Sequence, residues 1–70
     1  MSKPKLMLAT TSAYLWHEDG AMSPIAQTEP PELVVVIREM SDMSQIIHPR
    51  WGKCWVLNAR REQWPEVMAQ

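Results

Sequence analysis

The sequence predicts an α+β domain, a small and mainly antiparallel sheet of three or four strands. One short helix is expected after the central strand and another at the C-terminus. Three observations lead there. Glu32-Leu33-Val34-Val35-Val36-Ile37-Arg38-Glu39-Met40 holds the only unbroken β-branched run in the chain. Glu18-Asp19-Gly20 supplies the positive-φ tolerance that a tight hairpin requires. Ser41 or Asp42 can cap a helix along which Met43, Ile46 and Ile47 recur at helical spacing.

In chain order, residues 1–4 read as a flexible or extended lead, because Pro4 is excluded from a helix interior. Lys5–His17 follows as the first strand. Its Thr10-Thr11, Tyr14 and Trp16 content favours an extended backbone, with a helix over Ser12–His17 as the competing assignment. The Asp-Gly turn sends Ala21–Gln27 back alongside that strand. Pro24, which has no N–H, makes the returning segment an edge strand or one that leaves the sheet partway. Thr28-Glu29-Pro30-Pro31 is a stiff extended connector.

Leu33–Met40 then forms the central strand, apolar at enough successive positions to need cover on both faces. The Met43–Ile47 helix ends at Pro49. Gly52 is a break, and Lys53–Arg60 reads as the last strand, with a helix over 53–63 as the alternative. The connection over 40–52 is long enough for a parallel crossover and also permits antiparallel pairing. Pro65 suits the first turn of a C-terminal helix over Glu66–Ala69, with Trp64 just before it.

Seventy residues make one domain, 1–70, whose own core is small. Domains of this size usually add disulfides, a metal or a partner. Cys54 is the only cysteine, so no disulfide forms within the chain, and Cys54, His17 and His48 lack zinc-site spacing. No cofactor is expected, and a partner remains. Four Trp and six Met with no Phe are an unusual apolar set, of types common at adaptable binding surfaces. Net charge is −1, with residues 1–49 at −3 and residues 50–70 at +2. That asymmetry falls short of a polybasic patch. No membrane span or export signal is read, and the lone cysteine points to the cytoplasm.

Catalytic constellations are weak. His17-Glu18-Asp19 places an imidazole beside two carboxylates, but it runs straight into a turn and reads as a solvated polar loop. Cys54 lies in an apolar run and reads as a buried thiol rather than a nucleophile. Two glycines, Gly20 and Gly52, cannot build a phosphate loop. The chain is therefore expected not to be an enzyme. The informative stretch is His48-Pro49-Arg50-Trp51-Gly52-Lys53-Cys54-Trp55, with Arg60, Arg61 and Trp64 downstream. Trp and Arg together anchor protein interfaces, and basic residues interleaved with aromatics also bind single-stranded nucleic acid.

The expected partner-binding residues are Arg50, Trp51, Lys53, Arg60, Arg61 and Trp64. The expected function is that of a protein-binding module, a small intracellular regulator, inhibitor or subunit acting on a larger protein or complex. Small antagonists of phage or mobile-element type share this size and composition, which is an analogy alone. A homodimer is compatible with it. The alternative is a single-stranded DNA or RNA binder using residues 50–64, which the acidic balance disfavours.

Overall fold

The computed structural model describes residues 3–19 and 22–67. Its elements are β1 (Lys5–Ala9), β2 (Tyr14–His17), β3 (Pro24–Gln27), β4 (Glu32–Glu39), β5 (Met43–His48), β6 (Gly52–Leu57) and a short helix α1 (Asn58–Arg61). All six strands join one sheet in the order β1-β4-β5-β6-β2-β3, and every pairing is antiparallel. This corrects the expected α+β fold of three or four strands and two helices.

The largest correction is Met43–Ile47, expected as a helix and found within strand β5 (Met43–His48). Its spacing of Met43, Ile46 and Ile47 suits a helix face, but the strand alternation is equally present. Ser44, Ile46 and His48 point inward and are all buried. Two of those three are polar, which conceals the period-2 signal. β5 lies between β4 and β6, so those two strands do not pair with each other. The expected strand Lys5–His17 divides into β1 and β2, which lie far apart in the sheet. The expected Lys53–Arg60 strand ends at Leu57, where α1 begins. In place of a C-terminal helix, Glu66 bridges to Met7, and Val67 N–H donates to Leu6 C=O at 2.7 Å. Gly20 and Ala21 of the predicted turn, and residues 68–70, lie outside the described residues.

The sheet cannot lie flat. β1 and β2 stand four strand spacings apart in the order, about 19 Å if the sheet were planar. The link from Ala9 to Tyr14 reaches only about 18 Å when fully extended. Rolling brings Ala9 and Ala13 into one core with Met7, Leu15, Val34, Val36, Ile46, Cys54 and Val56. Trp64 closes the open side at 3% exposure, its Nε1–H donating to Thr11 Oγ1 at 2.9 Å. The segment that carries it runs beside β1, with Leu8 N–H donating to Pro65 C=O at 3.0 Å.

α1 contributes no buried residue and serves as a brace. Asn58 N–H donates to Asp42 C=O at 2.9 Å, and its Nδ2 to Met40 C=O at 2.8 Å, which fixes the β4–β5 turn. Buried Ser44 donates to Asn58 Oδ1 at 2.6 Å and accepts from Arg61 Nε at 3.0 Å. Arg61 continues to Glu39 at 3.2 Å, and Glu39 meets Lys5 at 2.9 Å.

Trp64 is therefore expected to be indispensable to the fold. Trp64→Ala should cost about 3–5 kcal/mol, comparable with the whole stability of a 70-residue domain at roughly 0.05–0.15 kcal/mol per residue. Urea unfolding should show a largely unfolded variant at 25 °C. A loss below about 1 kcal/mol would place Trp64 outside the core.

Candidate functional site

The described surface carries an open groove of about 500 Å³ lined by Tyr14, Pro24, Ile25, Ala26, Gln27, Glu29 and Trp51. Four segments build it, the β3–β4 connector giving Glu29. β2 contributes Tyr14, whose neighbour Leu15 points into the core, so Tyr14 and Trp16 share the outer face. Their rings meet edge-on at 6.2 Å, an arrangement that holds both in place. β3 contributes all four of its residues. The β5–β6 turn contributes Trp51. Gly52, which follows, has φ +72, a left-handed conformation that an L side chain adopts only with strain. Tyr14 is 52% exposed, Trp51 45% and Ile25 37%, so the lining is apolar and open to solvent.

Trp51 is held in place by His48. The imidazole is buried, and its Nδ1 accepts the backbone N–H of Arg50 at 3.0 Å and of Trp51 at 3.3 Å. With Nδ1 accepting, the ring proton belongs on Nε2, which donates to Glu32 Oε1 at 2.8 Å. The same carboxylate oxygen accepts Glu29 N–H at 2.8 Å. One imidazole and one carboxylate thus tie the turn bearing Trp51 to the connector bearing Glu29, which are two walls of the groove. Burial pushes the Glu32 carboxyl up, but the hydrogen bonds from His48 and the Glu29 amide, with Arg50 nearby, outweigh it and hold it below 4.5.

The six residues expected to bind a partner divide between surface and interior. Trp51 lines the groove, and Arg50 pairs with Glu29 on its rim at 3.4 Å. Arg60 lies in an adjoining recess of about 110 Å³ with Ser12, Ala13, Tyr14 and Gln27, so the two depressions share Tyr14 and Gln27. Lys53 sits elsewhere, on the outer face of β6 opposite Ile47. Arg61 and Trp64 are committed to the interior. Tyr14, Pro24, Ile25 and Gln27 are not among the residues the sequence marks for binding. They are ordinary strand residues there, and only the pairing of β2 with β3 and β6 carries them to Trp51.

Cys54 is buried, and desolvation raises its thiol to about 11, so it stays protonated at neutral pH. His17 Nδ1 lies 3.2 Å from Asp19 on an exposed turn. Among the described residues, no group of three or more His, Cys, Asp or Glu side chains is arranged to hold a metal ion. Nor, among them, is any helix long and apolar enough to cross a membrane. Comparison with known protein families, curated proteins and solved structures gave no match.

Two outcomes follow from this geometry. His48→Ala leaves two turn amides and the Glu32 carboxylate without their partner, and should cost about 1–3 kcal/mol while moving the Trp51 indole into water. Chemical denaturation and the fluorescence of a variant with Trp51 as its one solvent-sensitive probe would show both effects. An unchanged turn would refute the role given to His48.

Acid should also destabilise the fold. Glu32 is held low as described, and Glu39 is held low first by the hydrogen bond from Lys5 and then by the Lys5 and Arg61 charges. A carboxyl whose folded value lies below its unfolded value stabilises the fold above the unfolded value and loses that contribution as pH falls through the folded one. Stability should thus be full above about 4.5 and decline below it. The decline should be shallower in Glu32→Gln, measured as urea midpoints across pH. A midpoint that rises on acidification would contradict this.

Proposed function

We propose that this chain is a non-enzymatic protein-binding module, a small regulator or inhibitor that captures a segment of a larger partner in the Tyr14–Ile25–Trp51 groove. The observation that carries the reading is the exposure of Trp51 and Tyr14 around an apolar groove whose walls are fixed from behind by His48. Exposed aromatics on a rigid support make inexpensive contact area, because few rotors are frozen when a ligand lands. Aromatic-lined grooves also suit extended segments rather than compact surfaces. The lone buried thiol of Cys54 fits a reducing compartment, so we place the activity in the cytoplasm.

The geometry gives less support to nucleic acid binding. Arg61 turns inward to Glu39, Arg50 is paired with Glu29, and Lys53 lies away from Arg60. A phosphate-tracking surface needs such charges in one continuous stripe.

The test is selection of peptides from a displayed library on the native protein, followed by calorimetry on the variants. Trp51→Ala should lower affinity for the selected peptides by roughly thirtyfold, the scale of an interface hot spot, with its unfolding midpoint nearly unchanged. Lys53→Ala should bind as the native protein does. Equal binding by Trp51→Ala, or selection that yields only salt-sensitive polyanionic sequences, would overturn the proposal.

A further inference from the structure

We propose that the captured segment binds as an added strand, pairing its backbone with the free edge of β3 and placing an acidic side chain against Arg60. This rests on the groove being the binding surface and specifies how the groove works.

The first observation is the lining itself. Alternate residues of a strand point to opposite faces, so a groove on a sheet face is lined by every second residue. Here Pro24, Ile25, Ala26 and Gln27 all line it. The irregular pairing between Leu15 and Trp16 accounts for Pro24 and Ile25 sharing a side. It does not account for Ala26, which pairs with buried Leu15 and points inward. Ala26 therefore meets the groove through its main chain, so the groove lies against the β3 backbone.

The second observation is that this edge is open. β3 ends the strand order and pairs with β2 alone. Thr28 N–H points toward β2, donating to Ala13 C=O at 2.9 Å. By alternation the main-chain groups of Gln27 point the other way, toward the groove, whereas Pro24, which cannot donate, faces Trp16 through a bulge that turns the Ile25 N–H to β2. An extended segment laid there meets the N–H and C=O of Gln27, with Tyr14 and Trp51 for its side chains.

Charge selects the ligand. Glu29, the only charged residue lining the groove, is already met by Arg50. Arg60, beyond Gln27 and Tyr14, is exposed and makes no side-chain ion pair with any described residue. The unmatched charge is positive, so the complementary segment carries a carboxylate. A second copy of this chain fits less well. Two β3 edges paired about a two-fold axis would each present Pro24, which has no donor, leaving gaps in a ladder of four residues.

The experiment uses capped peptides that alternate valine and threonine, ended in glutamate or in lysine. Each is also made with N-methyl groups on one or the other alternate set of residues. The glutamate-ended peptide should bind and slow hydrogen exchange at the Gln27 amide. One N-methylated set should lose roughly tenfold or more in affinity while the other binds like the parent. The preference for glutamate over lysine ends should vanish in Arg60→Ala. Binding that ignores N-methylation yet is lost in Trp51→Ala would keep the groove and overturn strand pairing. No binding of either parent peptide would overturn it too, because main-chain pairing tolerates sequence. A homodimer of the free protein that protects the same amide would overturn the choice of occupant.

Discussion

Behind the groove, His48 is satisfied on both ring nitrogens by two different segments of chain. Its Nδ1 receives the amides of Arg50 and Trp51, and its Nε2–H goes to Glu32, which in turn receives the amide of Glu29. None of these groups could be buried alone without a desolvation cost. Together they let a short turn and a short connector stand close enough to form opposing walls. The indole of Trp51 depends on this support, since its turn passes through a left-handed glycine and its amide is held by His48.

The same economy runs through the rest of the fold. A chain of this length has too few large apolar side chains to fill a rolled six-stranded sheet, and polar residues complete the interior. Thr28 accepts Ala13 N–H and donates to Thr11 C=O, which ties the β1–β2 link to the end of β3. Ser44 joins Asn58 and Arg61 and so attaches α1 to the sheet. No buried side-chain nitrogen or oxygen among the described residues lacks a partner. Such networks specify one arrangement because a misplaced partner is penalised more than a misplaced methyl.

This use of polar residues sets what the sequence could reveal. Glu32–Glu39 was legible as a strand because its β-branched run leaves no other reading. Pro24 was legible as an edge residue because it lacks a donor, and β3 is an edge. Met43–His48 was not legible, since Ser44 and His48 face inward and erase the alternation that marks a strand. The split of Lys5–His17 was hidden as well. Both halves have strand composition, and only the rolling of the sheet separates them. Within the site, Trp51 and Arg50 stood out by residue type. Trp64 and Arg61 looked equivalent to them, because composition does not say which way a side chain faces. Tyr14 and Ile25 carried no local signal, as their role comes from a pairing across the sheet.

The account stands or falls on the state of one ring. Nitrogen-15 NMR of the His48 imidazole at neutral pH reads which nitrogen carries the proton and what each is bonded to. The hydrogen bonds described require a proton on Nε2 coupled to the Glu32 carboxylate and a bare, accepting Nδ1. That spectrum would confirm that the groove is built from behind by His48. A proton on Nδ1, or a ring exchanging freely between its two neutral forms, would contradict it and leave the position of Trp51 without a cause.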